Sequence, residues 1–345
     1  MKINPGLKRI ISTVAVLAVL SACTGNSGTG STPSGISSTN FLLGISGFAP
    51  RNFPDQNAAD IVEFWQTIHT TSEVYGIHID PADSGQITMA SAQAGQPLEV
   101  VLAYQDPAQW NSTGRSKLLA QAEVILSANP AIKYLAIGNE VNLLQEKFPL
   151  QFPDFEENYR KLYQQLKYDF PEVKIYTVFQ YEALLGKGIL TGITRKSEIQ
   201  LLDDFEDCTD LIGLTVYPSL DYKSPKGIPA NYFKQVSATG KLLAITETGW
   251  PSRQSYGGKL KALTDQGYTS SENGQTEYLN TLVSQANKGG FEFVNWLNLD
   301  DPAEWKNGDD GVPGFELFDS MALRDHSGKA KKVWSVWESL FDPQQ

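Results

Sequence analysis

Two stretches of this 345-residue chain share one design, and that design restricts the fold more than any other feature of the sequence. Leu242-Leu243-Ala244-Ile245-Thr246-Glu247-Thr248-Gly249-Trp250-Pro251-Ser252 is an apolar, β-forming run that ends on a carboxylate. Gly249 and Pro251 then force the backbone out of the strand. Tyr134-Leu135-Ala136-Ile137-Gly138-Asn139-Glu140-Val141-Asn142 repeats the pattern, with Glu140 at the exit. Apolar runs without alternation are strands buried on both faces, as in parallel sheets covered by helices. One acid at a strand end reads equally well as the start of a surface loop. Two such exits 107 positions apart read differently. At roughly 36 residues per strand-plus-helix unit they lie three units apart, and a closed eight-unit barrel brings both to one rim.

The rest of the chain supplies the other units. Strands are predicted over 41–47, 73–79, 98–104, 173–179 and 291–297, with a fourth strand delivering Glu140, a sixth Tyr217 and a seventh Glu247. Between and after them, apolar residues recur at helical spacing over 57–69, 116–128, 155–170, 196–207, 231–239, 276–287 and 331–341. Eight strand–helix alternations give the fold class α/β, a single (β/α)8 TIM barrel over 41–345.

The strand ends carry specific motifs. Asn139-Glu140 ending one strand and Glu247 ending a later one resemble clan A of the glycoside hydrolases, retaining enzymes on (β/α)8 barrels. Within the clan, Ile137-Gly138-Asn139-Glu140-Val141 and Thr246-Glu247-Thr248-Gly249-Trp250-Pro251-Ser252 are most similar to family 17, the β-1,3-glucanases and related glucanosyltransferases. Asp210-Leu211-Ile212-Gly213-Leu214-Thr215-Val216-Tyr217-Pro218 instead resembles family 53, the endo-β-1,4-galactanases. The resemblance implies that Glu140 is the acid/base, Glu247 the nucleophile, Asn139 a ligand for a sugar hydroxyl and Trp296 a platform under the reacting sugar. An Arg commonly ends the second strand in the clan; here His78 and Asp80 fall near that exit.

These residue types suit the chemistry. Cleavage with retention uses one carboxylic acid to protonate the leaving oxygen and one carboxylate to attack the sugar carbon. Their proton affinities must be pushed apart, so that Glu140 holds a proton while Glu247 stays ionised. Tyr217, on the intervening strand, is placed to donate a hydrogen bond to Glu247. Asn139 and Glu140 both reach a substrate only if the chain leaves strand geometry there, since successive strand residues face opposite ways. His78 is expected on the substrate side of the rim, or else as a hydrogen-bonded structural residue. The aromatics Phe48, Tyr104, Trp110, Tyr181, Trp250 and Trp296 fall at strand exits, where flat rings either stack on sugars or pack the core. Of these, Tyr104, Trp250 and Trp296 are taken as substrate-binding. Glu182 is a rival acid one residue past Tyr181.

A net charge of −11 with no basic stripe argues against a nucleic-acid partner. Lys2, Lys8 and Arg9 precede an apolar run, 10–20, that is too short for a permanent span, and Leu20-Ser21-Ala22-Cys23 resembles a bacterial lipobox. The expectation is a lipoprotein signal peptide over 1–22, a lipid on Cys23, and a flexible Ser/Gly/Thr tether over 23–40. The mature protein would then be extracytoplasmic, held at a bacterial membrane by that lipid alone. Cys208 is left without a disulfide partner. Asp300, Asp301, Glu304, Asp309 and Asp310 cluster in the last loop without EF-hand spacing and read as a solvated acidic loop rather than a metal site. No cofactor or metal is expected, and the chain is read as a monomer. The function expected is a retaining glycoside hydrolase on a β-linked polysaccharide, a β-1,3-glucan favoured. The rivals are endo-β-1,4-galactanase, β-glucan transglycosylase, and a non-catalytic surface polysaccharide-binding lipoprotein.

Overall fold

In a computed structural model, residues 37–47, 58–79, 87, 90–91, 95–187, 196–253, 267–268, 270–301 and 318–341 are described. The signal segment, Cys23, most of the tether, Phe48, Asp80, Glu304, Asp309 and Asp310 lie outside them.

The strands are β1 (Leu42–Ser46), β2 (Val74–Ile79), β3 (Leu98–Leu102), β4 (Ile132–Ile137), β5 (Lys174–Tyr176), β6 (Val178–Gln180), β7 (Leu211–Val216), β8 (Leu242–Thr248) and β9 (Phe291–Leu297). They form one all-parallel sheet in the order β5-β4-β3-β2-β1-β9-β8-β7-β6. The two segments at the ends of that order are consecutive in the chain. β5 pairs with β4, β6 pairs with β7, and only Thr177 separates them, so nine segments fill eight barrel positions and the sheet closes on itself. This is the α/β barrel that the strand spacing predicts. The predicted fifth strand is broken at Thr177, whose hydroxyl donates to the carbonyl of Ile137, 2.8 Å away.

Alternation along each strand sorts the barrel into an inside and an outside. Leu42, Val74, Val101, Tyr134, Ala136, Tyr176, Val178, Leu211, Ala244 and Phe293 face inward and pack on one another. Their strand neighbours, among them Leu43, Ile45, Ile77, Val100, Leu135, Leu214, Ile245 and Trp296, face outward into the layer that the helices cover.

The main covering helices are α1 (Ala58–Thr71), α2 (Ser112–Ala128), α3 (Val141–Lys147), α4 (Phe152–Asp169), α5 (Glu272–Gly289) and α6 (Lys332–Ser339). Asn111 caps α2 by accepting the amides of Thr113 and Gly114, and Ser271 caps α5 by accepting that of Gly274. Leu118, Ala122, Ile125 and Leu126 of α2, and Phe155, Tyr159, Leu162 and Leu166 of α4, form the buried stripes that their spacing predicts. Two predicted helices differ. The segment Ile199–Cys208 is a 3-10 helix, and its buried Leu202, Phe205 and Cys208 recur every third residue, the repeat that 3-10 geometry places on one face. The predicted helix over 231–239 shrinks to the single turn Lys234–Ser237.

Candidate active site

Glu140 and Glu247 leave their strands by different routes. β4 ends at Ile137, after which Gly138 has φ +84° and Glu140 has φ +52°. A side chain at Gly138 would sit 2.9 Å from Val141 and 3.0 Å from Phe155, so glycine serves both the backbone turn and the packing. Departure from strand geometry at Asn139-Glu140 is therefore real, and it allows both side chains to serve one rim.

Glu247 is aimed by a β-bulge. On β7 and β8, Leu214 faces Ile245 but Thr215 faces Glu247, so one residue of β8 is inserted, and the pairing with β9 slips over the same residues. Strict alternation from the inward Ala244 would turn Glu247 outward. The extra residue reverses this: Glu247 points into the barrel, and Thr248 points out to share a hydrogen bond with Tyr278 of α5.

Inside the rim the two carboxyls receive unlike partners. Glu247 Oε1 lies 2.5 Å from Nδ1 of His78, the inward residue near the end of β2. Its Oε2 accepts the Tyr217 hydroxyl at 2.5 Å. Glu140 Oε1 accepts only the Thr215 hydroxyl, at 2.8 Å, among the described residues. Burial alone would raise the proton affinity of both acids. For Glu247 the His78 charge, the His78 hydrogen bond and the Tyr217 hydrogen bond outweigh burial and hold it below the ordinary carboxylate value. For Glu140 burial is reinforced by the charge of Glu247, which pushes it up to about 7. His78 in turn is raised: burial opposes its charge, but the charge and hydrogen bond of Glu247 prevail.

Glu182, the rival acid, has another task. It is wholly buried and accepts both Tyr217 N–H contacts at 3.1 Å, the Tyr232 hydroxyl at 2.5 Å and the Gln180 amide at 2.6 Å. Every oxygen is occupied by neighbours, and the result is a fixed backbone at Tyr217. Asn139 is half-buried, with its Oδ1 enclosed and without a hydrogen-bond partner among the described residues.

The expected aromatic platform is not brought to the site. Trp296 has no exposed surface, because its position on β9 faces outward; it packs between Tyr278 and Trp337 and donates Nε1–H to Met321 O at 2.8 Å. Trp250 packs on Tyr278, and Tyr104 packs on Phe155 with its hydroxyl bonded to Gln109 O. Trp110 and Tyr181 are core residues as well. A ring with no free face cannot stack on a sugar, so these positions anchor helices to the barrel. The inward residue at the end of β9 is instead Leu297, half-buried in a cluster with Tyr217, Met321 and Phe318. The half-buried Phe318 ring meets Tyr217 edge-on at 5.1 Å.

Two members of the acidic loop are also reassigned. Asp300 and Asp301 are buried rather than solvated: Asp300 binds Arg324 at 2.6 Å, and Asp301 binds Lys331 at 2.7 Å. Cys208 is buried, and burial pushes its thiol up to about 11, which suits packing rather than nucleophilic work.

Thr215 escaped the sequence reading although its signal was present: counting back in twos from Tyr217 places it on the same inward face. Asn142 gave no such signal. It exchanges two hydrogen bonds with the Gln180 backbone, at 2.8 and 3.0 Å, and ties the exit of β4 to that of β6.

No family profile and no curated protein sequence matches the chain. Solved structures do. A Rhizomucor miehei β-1,3-glucanosyltransferase mutant in complex with laminaritriose is similar with a TM-score of 0.57 at 13% identity, covering 85% of this chain and 96% of that one. Bacteroides uniformis β-glucuronidase 2, covalently bound to cyclophellitol-6-carboxylate aziridine, gives a TM-score of 0.61 at 14% identity, covering 88% of this chain and 35% of that one. A Ruminococcus gnavus β-glucuronidase in complex with D-glucuronic acid gives 0.60 at 14% identity, with 88% and 49% covered. The chain thus spans half or less of these glucuronidases and nearly all of the glucanosyltransferase. At such identities the likeness establishes the barrel fold.

Proposed function

We propose that the protein is a retaining glycoside hydrolase acting on a β-linked polysaccharide, with a β-1,3-glucan as substrate. One observation carries this reading: two half-buried glutamates on one rim meet unlike partners, Glu247 the His78 imidazole and the Tyr217 hydroxyl, Glu140 only the Thr215 hydroxyl among the described residues, and these push their proton affinities in opposite directions. In the first step the Glu247 carboxylate attacks the anomeric carbon while Glu140 gives its proton to the departing glycosidic oxygen, leaving a glycosyl ester on Glu247. In the second, Glu140, now ionised, takes a proton from water, whose oxygen displaces Glu247 and restores the β configuration. His78 and Tyr217 hold the attacking carboxylate in place. The β-1,3 linkage is supported by the motifs around Glu140 and Glu247 and by the nearly full-length likeness to a β-1,3-glucanosyltransferase.

The experiment is digestion of β-1,3-glucan, β-1,4-galactan and β-1,4-glucan by protein starting at Phe41, followed by proton NMR of the first-formed product. Release of the β-anomer from β-1,3-glucan is expected. An α-anomer first would refute retention, and cleavage of galactan alone would move the substrate to the galactanases. Products longer than the starting oligosaccharide would show a sugar hydroxyl replacing water in the second step. Binding without turnover on all three would favour a surface glycan-binding role. The same proposal places the enzyme outside the cytoplasm on a lipid at Cys23, so Cys23→Ser should release it from the membrane fraction; retention there would refute the anchor.

A further inference from the structure

One buried acid remains outside this chemistry. Glu99 is fully enclosed within the apolar run of β3, facing inward opposite Gly76 of β2, two residues before His78 on the same inward face. Gly76 leaves the space for it: a Cβ there would lie 2.7 Å from Glu99 Oε2, 2.7 Å from Asn295 Nδ2 and 2.9 Å from Ser46 Cβ. Both carboxylate oxygens are held by donors, the Tyr176 hydroxyl at 2.5 Å and the Asn295 amide at 2.6 Å. Other inward positions around it are apolar: Val101, Ala136, Val178 and Ala244. Enclosing a carboxyl among them carries a desolvation cost that an apolar side chain would avoid.

The layer above gives this acid a purpose. Glu247 from β8 stands 2.5 Å from His78 Nδ1, and the charges of Glu99 from β3 and Glu140 from the exit of β4 also act on the imidazole. Glu140 must carry a proton to act as acid, and Glu247 is the group to be positioned. We infer that Glu99 is a positioning residue: from the layer beneath His78, on the neighbouring strand, its carboxylate secures the imidazole in protonated form and so keeps Glu247 clamped. The inference rests on Glu247 being the nucleophile, but its test does not depend on sugar chemistry.

The pH dependence follows from the sequence of ionisations. Burial pushes Glu99 up to about 7, with the charge of His78 and the hydrogen bonds from Tyr176 and Asn295 pulling the other way. Glu99 therefore gains its charge as pH rises through neutrality and adds its attraction to that of Glu247 in keeping the proton on His78.

The chain has three histidines, so imidazole NMR resolves the titration of His78 against His69 and His326, with His78→Gln providing the assignment. In the wild type, His78 should titrate above the ordinary imidazole value. Glu99→Gln should bring its midpoint down by about one pH unit, the usual size for a lost neighbouring charge. Glu99→Asp should recover most of the difference. Tyr176→Phe, which removes one donor from Glu99, should move His78 in the same direction by less, and it serves where Glu99→Gln does not fold. Activity on β-1,3-glucan should fall in Glu99→Gln at pH 8 by about tenfold while staying near wild type at pH 5, a split that a packing defect would not give. An unchanged His78 midpoint in both variants, or a wild-type midpoint at or below that of free imidazole, overturns the role of Glu99. Absence of glucanase activity in the wild type with the His78 shifts intact would instead count against the proposed substrate.

Discussion

The exits of β4 and β8 are built from one residue type and deliver opposite chemistry. Both end in a half-buried glutamate on the same rim, and both depart from ideal strand geometry, one through left-handed backbone at Gly138 and Glu140, the other through a bulge. The difference lies in what each carboxyl meets. Glu140 has a neutral hydroxyl and a neighbouring carboxylate; Glu247 has the His78 imidazole, whose proton affinity it raises, and a phenol. Burial acts on both, so the partner and not the depth decides which acid keeps its proton. Glu182 makes the same point from the other side. It is more deeply buried than either, and its four contacts to Tyr217, Tyr232 and Gln180 leave no oxygen for a substrate.

The comparison breaks most completely at the nucleophile. Glu247→Ala should lower turnover by about 10⁴-fold or more, as removal of a covalent nucleophile does. Added azide should restore part of it by direct displacement, giving an α-configured glycosyl azide; undiminished activity would remove Glu247 from the mechanism. At the other exit, Glu140→Gln should cost about 10²–10⁴-fold on substrates with poor leaving groups and far less on nitrophenyl glycosides, which need little protonation. Equal losses on both would contradict the acid role.

Exchanging partners should sharpen the contrast. His78→Gln keeps a hydrogen-bond donor but removes the charge, so turnover should fall by about ten- to a hundredfold through poorer positioning. The acid limb of kcat/KM should also move to higher pH, because Glu247 loses the charge that depresses its proton affinity. The sign carries over to stability. The lowered Glu247 contributes stability above the ordinary carboxylate value that is lost as pH falls through its own. The raised Glu140 works oppositely and makes the fold less stable as pH climbs from 4.5 towards 7. The smallest effect on catalysis is expected at Trp296. Trp296→Ala should cost about 3–5 kcal/mol of stability by leaving a cavity between β9 and the helices, while KM of the folded fraction stays put. A KM rise without destabilisation would return this residue to the substrate.

The same outward and inward sorting explains how much could be seen beforehand. The barrel was legible because its strands are apolar on both faces and its helices carry clean stripes, as at Phe155, Tyr159, Leu162 and Leu166. The two acids were legible because each closes an apolar run with glycine beside it. The aromatics misled because Trp296 and Leu297 are adjacent, and only the register of β9 decides which faces the rim. The pairing of His78 with Glu247 was hidden for a different reason: it spans the barrel between β2 and β8, and nothing local to either strand encodes it. Glu99 did leave a trace, a single charge within Leu98–Leu102, but its partners Tyr176 and Asn295 come from β5 and β9.

The central claim is that Glu247, kept ionised by His78 and Tyr217, holds the proton on Glu140 through its charge. Carbon-13 NMR of the Glu140 side-chain carboxyl across pH tests this without any substrate. The account predicts a midpoint of about 7 in the wild type, falling when Glu247→Gln removes the opposing anion. A wild-type midpoint near 4.5, or one indifferent to Glu247→Gln, would contradict it.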